Sequence, residues 1–133
     1  MVERTITRTI EGSTEREIIF ALLKDPARIP EWAPAFADEV LPSENNSWKV
    51  LKLGETFSLT VVIEPRSWTV DYLRTVAPGL QGGAFIRLLP RPGGGTVVTM
   101  TLPIPSASDA NQVGRVLEME LSALLALAER EKR

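Results

Sequence analysis

The 133-residue sequence predicts an α+β domain: six to seven antiparallel strands, with two short helices after the first strand and a long C-terminal helix. Three observations carry this. The opening "ERTITRTI" alternates threonines with Ile6, Arg8 and Ile10, the period of a half-buried strand rich in β-branched residues. Residues 38–103 break into short apolar and aromatic runs divided by turn signals. The C-terminal "SASDANQVGRVLEMELSALLALAEREKR" has a Ser/Asp start, a helical apolar stripe and no glycine or proline after Gly114.

The first strand ends at Glu11-Gly12. In "STEREIIFALLKD", Thr14 and Glu17 have capping-box spacing, and Ile18, Ile19, Leu22 and Leu23 recur at helical intervals, giving a helix of about ten residues. Pro26, Pro30 and Pro34 limit "DPARIPEWAPAFADEV" to a short helical turn opened by Asp25-Pro26, then irregular chain. Six strand-like runs follow, "DEVLPSE", "SWKVLKL", "ETFSLTVVIE", "SWTVDYLRTV", "GAFIRLLP" and "GTVVTMTLP", and a meander of hairpins is the simplest way to join them.

Hairpin geometry assigns faces. A tight turn at Pro65-Arg66 sets Ile63 opposite Trp68, Val61 opposite Val70 and Leu59 opposite Tyr72. A turn at Gly54-Glu55 sets Trp48 opposite Val61 and Val50 opposite Leu59, and one centred at Gly79 sets Tyr72 opposite Ile86 and Val70 opposite Leu88. These residues, with Phe57, Val98 and Met100, form one inner face. Asp71 and Arg87 then face each other outside, as an exposed ion pair worth up to about 1 kcal/mol. Bringing Val98, Met100 and Leu102 inward requires an odd-length turn through "RPGGGT", with Thr99 and Thr101 outside. That glycine run lacks the lysine and the following helix of a phosphate-binding loop, so it reads as a turn.

On the last helix, Val113, Val116, Leu117, Leu121, Leu124, Leu127 and Ala128 form one stripe, and Arg115, Glu118, Ser122 and Glu129 lie opposite. Glu120 falls inside the stripe. A carboxylate there needs a partner, a proton or water.

Composition narrows the function. At 44% hydrophobic and 24% charged residues the chain is of ordinary globular type, one domain spanning 1–133. Its formal charge of -2 and scattered basic residues give no nucleic-acid footprint. No apolar run approaches a membrane span or a signal peptide, which predicts a soluble, cytoplasmic protein. With no cysteine and no histidine, disulfides, thiolate catalysis and the commonest general base are excluded, and no metal or other cofactor is expected.

The segments "TRTIEGSTEREIIFALLKDPARIPEWAP", "GGTVVTMTLP" and "LEMELSALLALAE", in this order of elements, resemble the START-like or SRPBCC superfamily, which includes polyketide cyclase/dehydrase and lipid-transport proteins. The resemblance covers nearly the whole chain and implies the helix-grip fold, a curved antiparallel sheet of six to seven strands around the long C-terminal helix, with an elongated apolar cavity between them that opens near the short helices and hairpin tips. It brings no universal catalytic motif, and the cavity histidines of enzymatic relatives have no counterpart here.

Against that implied cavity, the expected ligand-facing set is Trp48, Phe57, Leu59, Val61, Trp68, Val70, Ile86, Leu88, Val98, Met100 and Leu124, with four residues carrying polar groups. Tyr72 either donates to a ligand oxygen or is satisfied by backbone. Arg8 shares parity with Ile6 and Ile10, and either clamps an anion or carbonyl, pairing with Glu120, or lies at the sheet margin with its head in water. Trp32 gates the entrance or plugs the elbow onto the sheet. Glu120 faces the interior or reaches solvent.

The expected function is binding or transport of a small hydrophobic ligand, a lipid, polyketide-like or aromatic molecule, by a monomer or homodimer. A cyclase, aromatase or dehydratase using Glu120, Tyr72 or a bound water is the alternative. A non-catalytic assembly protein using the outer sheet face is a third reading, which the polarity of that face disfavours.

Overall fold

The computed structural model describes the backbone of residues 2–77, 80–105 and 107–132. Strand β1 (Val2–Gly12) leads into helix α1 (Arg16–Leu23), and a 3-10 turn at Pro26–Arg28 runs directly into α2 (Ile29–Trp32). Six strands follow: β2 (Glu39–Pro42), β3 (Ser47–Lys52), β4 (Glu55–Glu64), β5 (Thr69–Ala77), β6 (Leu80–Pro90) and β7 (Thr96–Pro105). Helix α3 (Ala110–Glu131) closes the fold. The sheet is antiparallel with strand order β1-β7-β6-β5-β4-β3-β2, so the meander β2 to β7 is completed by β1 docking beside β7.

Asp109 caps α3, its Oδ1 accepting from the amides of Asn111 at 3.0 Å and Gln112 at 3.2 Å. At α1 the predicted Thr14–Glu17 capping box does not form. The N-cap is Glu15, without a side-chain hydrogen bond, and the buried Thr14 hydroxyl donates to the Glu129 carboxylate on α3. Thr14's own carbonyl accepts from Thr96 Oγ1 at 2.6 Å, so this residue ties β7 and α3 to the start of α1. Arg28 fixes the elbow to the far end of α3, donating to Glu31 at 2.8 Å and Glu131 at 2.5 Å.

Three hairpins close two residues away from the predicted alignment. The β3–β4 tip is Leu53-Gly54, both with positive φ as a tight two-residue turn requires, which pairs Trp48 with Leu59 and Val50 with Phe57. The β4–β5 connection is the four-residue Pro65-Arg66-Ser67-Trp68, pairing Ile63 with Val70 and Val61 with Tyr72. Trp68, at φ 57°, is therefore a turn residue outside the β4–β5 pairing, and its carbonyl accepts from the Leu88 amide of β6 at 3.0 Å. The predicted centre Gly79 lies outside the described residues, but the flanking strands pair Val70 with Ile86 and Tyr72 with Ala84.

A shift of two preserves parity, so the inner and outer faces are as predicted even though the partners change. Asp71 stands between Val62 and Phe85 rather than opposite Arg87, which pairs with Thr69 and Thr99. No Asp71–Arg87 ion pair occurs among the described residues, and partial burial lifts the Asp71 carboxyl above its usual range. The β6–β7 loop does have odd length, Arg91 to Gly95, and all three of its glycines have positive φ.

Sheet and α3 enclose one core in which Leu59, Val70, Ile86, Leu88, Val98, Met100, Leu117, Leu121 and Leu124 are almost wholly buried. Outside, the hydroxyls of Thr7 and Thr101 meet at 2.8 Å. The outer face is mixed rather than uniformly polar, because Val62, Phe85 and Leu89 are exposed there.

Candidate functional site

The core does not fill the space between sheet and helix. A partly open cavity of about 690 Å³ remains, bounded by the first half of α3, the α2 elbow and the inner faces of β4 to β7. Its origin lies in side-chain size. At inner-face positions of β6, Gly82 stands opposite Arg74 and Ala84 opposite Tyr72, and these small residues leave a gap where Ile86 and Leu88 fill the layer further along. Leu59, Met100, Leu102, Val113, Val116 and Leu117 supply apolar walls, and the volume suits a small organic molecule.

Five of the sequence-predicted residues line this cavity: Trp32, Leu59, Tyr72, Met100 and Glu120. Val70, Ile86, Leu88, Val98 and Leu124 are packed core instead, at 1% exposure or less. Phe57 stands behind the wall, meeting the cavity residue Phe36 edge-on at 5.5 Å. Trp48 and Val61 border a separate depression of about 510 Å³ near Lys24 and Pro42. Trp68 is drawn to the opposite end of the inner face, where its ring packs on Phe20 at 5.1 Å and beneath the Arg16 guanidinium at 4.2 Å.

The polar candidates separate clearly. Tyr72 is 3% exposed and its hydroxyl donates to the Leu23 carbonyl at 2.6 Å. That hydroxyl is committed to backbone, and burial, reinforced by Asp25, pushes its pKa above the usual range. Arg8 lies on the inner parity opposite Met100, but its side chain runs across Gly114 of α3 and bonds Glu118 at 3.4 Å and its neighbour's carbonyl, Thr7 O, at 3.0 Å. It does not border the cavity and does not meet Glu120. Helix geometry explains this: Glu118 lies one turn beyond Gly114 on the face that Arg8 crosses, whereas Glu120 lies about 200° further round α3.

Glu120 borders the cavity beside Val116 and Leu117, with no hydrogen bond or ion pair among the described residues. Burial raises its carboxyl from 4.5 to about 7. Trp32, 3% exposed, places its ring 6.4 Å from that of Tyr72, and its indole N–H is buried without a partner.

Arg74 was not singled out by sequence. It lies two residues beyond Tyr72 on the same face of β5, so continuing the parity series identifies it as inward-facing. Its guanidinium covers the Phe57 ring at 3.9 Å, and its Nε is buried with no hydrogen-bond partner. The site thus combines apolar walls with two buried N–H donors that lack acceptors, and a carboxyl group easily protonated near neutrality.

No protein-family model and no curated protein matches the sequence. In three dimensions the chain is similar to the protein XoxI from Bacillus cereus, with a TM-score of 0.75 and 16% identity over 98% of this chain and 99% of the other. It is likewise similar to the ZhuI aromatase/cyclase from Streptomyces sp. R1128, with a TM-score of 0.64 and 18% identity over 98% and 96% of the two chains. A START superfamily protein from Mycobacterium smegmatis gives a TM-score of 0.63 and 15% identity over 98% and 97%. At such identities the likeness is one of architecture, and with the seven-stranded sheet closed on α3 it establishes that this chain has the START/SRPBCC-like helix-grip fold.

Proposed function

We propose that this protein binds a small hydrophobic molecule between sheet and helix. The observation that carries the reading is the 690 Å³ cavity itself, whose walls are apolar and whose few polar groups include donors without acceptors. Burying a ligand's apolar surface supplies affinity, and the unsatisfied donors orient it. Native mass spectrometry of protein purified from its own host tests this: an apolar molecule should travel with the protein at one per chain. Protein that is always empty, and that fails to take up a polarity-sensitive fluorescent probe in competition with apolar molecules, overturns it.

A second reading, an aromatase- or cyclase-type enzyme, is favoured by the position of Glu120, a carboxyl on an apolar wall able to hold or release a proton near neutral pH. An aromatase/cyclase among the structural neighbours is compatible with it. In that case Glu120→Gln abolishes turnover of a carbonyl substrate and spares its binding. Unchanged turnover removes Glu120 from any chemistry.

A further inference from the structure

Arg74 differs from Arg8 and Arg28. Arg8 meets Glu118, and Arg28 meets both Glu31 and Glu131. Arg74 lines the cavity with no carboxylate within ion-pair distance among the described residues, and its Nε is buried and unbonded among them. Only Nε is buried and the side chain as a whole is half-buried, so the terminal guanidinium nitrogens can meet an anion that enters the cavity. Room for one exists beside it, because its cross-strand neighbour is Gly82.

The groups surrounding Glu120 are otherwise accounted for. The Tyr72 hydroxyl is held by Leu23. Asp109, on the cavity rim, accepts two helix amides. Glu31 on α2 is bound by Arg28, and Arg8 on β1 by Glu118. Asp109 keeps its charge at the rim whether or not a ligand is present, so Arg74 and Glu120 are the lining groups whose charge balance an entering anion changes.

We infer, building on the apolar-ligand reading above, that the occupant is an apolar carboxylic acid whose carboxylate sits on Arg74, and that its entry places a proton on Glu120. The ligand enters as the anion, one proton comes from solvent to a Glu120 carboxylate oxygen, and only that O–H bond forms. The cavity then keeps the net charge it has when empty with Glu120 ionised: guanidinium and ligand carboxylate cancel, and Glu120 is neutral. A neutral apolar alcohol makes no such demand and takes up no proton.

The test compares dodecanoate with dodecan-1-ol by isothermal titration calorimetry at about pH 8, in two buffers of different ionisation enthalpy. Dodecanoate should bind at least about tenfold more tightly and draw up to about one proton per ligand. Arg74→Met should bring the two affinities together, Arg74→Lys should keep part of the preference, and Glu120→Gln should keep binding and abolish proton uptake. The unmutated comparison stands even if a variant fails to fold. Equal binding of acid and alcohol, or acid binding without proton uptake, overturns this inference and leaves the apolar-ligand reading intact. Binding of neither probe overturns both.

Discussion

The Tyr72 hydroxyl donates to the Leu23 carbonyl at 2.6 Å, joining the middle of β5 to the last residue of α1. The carbonyls of a helix's final turn have no partner within the helix, and here a side chain from the sheet supplies one. This bond fixes α1, and through it the α2 elbow that walls the cavity.

Tyr72→Phe should therefore destabilise the fold by about 1–3 kcal/mol, since it strands a buried acceptor. Chemical denaturation measures this. Affinity for an apolar probe should change less than about threefold, because the hydroxyl is already committed.

Glu120 makes stability depend on pH. Folding raises this carboxyl's pKa, so the native state holds the proton more tightly than the unfolded chain does. Its contribution is fully present below 4.5 and lost as pH rises through about 7. Glu120→Gln should match the parent protein near pH 4.5 and exceed it by about 2 kcal/mol near pH 8. Urea titrations at the two pH values would expose a sign error at once.

Two glycines of one loop should respond differently to alanine. Gly93, at φ 87°, has open space where a Cβ would go, so Gly93→Ala should cost only the left-handed backbone penalty, about 1 kcal/mol. Gly95, at φ 97°, would place its Cβ 2.1 Å from the Gly12 carbonyl oxygen, so Gly95→Ala should cost about 3 kcal/mol or more and disturb the β1–β7 edge. Thermal melts of the pair check the contrast.

Filling the gap left by β6 should separate binding from stability. Ala84→Leu projects into the cavity, so uptake of an apolar fluorescent probe should fall at least about tenfold, with a melting temperature equal to the parent's or higher. A collapse in melting temperature would show that the space is not free to be filled.

The legible part of this fold was the part governed by parity. Each misplaced hairpin slipped by two residues, which changes a partner and keeps the face, so Leu59 and Tyr72 were assigned inward despite wrong neighbours. Turn length was not legible: Leu53, a poor residue for positive φ, occupies a tight tip, and Trp68 adopts positive φ where a strand start was expected. Glu120 was recognised from the helical stripe alone, but its expected partner was not, because the side-chain course of Arg8 over Gly114 depends on tertiary packing. Arg74 was within reach of the same parity argument. So was the cavity's position, since the small residues in "QGGAF" lie where the inner face needs bulk.

The docking of β1 beside β7 also sets the order in which the structure can assemble. Thr7 and Thr101 are 94 positions apart, whereas the meander from β2 to β7 is built from neighbours joined by short turns. The non-local pairings of the sheet as a whole place refolding in the millisecond-to-second range typical of sheet-rich domains, and the β1–β7 pairing, with the longest loop to close, should form after the rate-limiting step. Substitutions in the Thr7–Thr101 pair should then accelerate unfolding and leave the refolding rate nearly unchanged in stopped-flow measurements. On that outcome, the strand that comes first in the sequence is the last to find its neighbour.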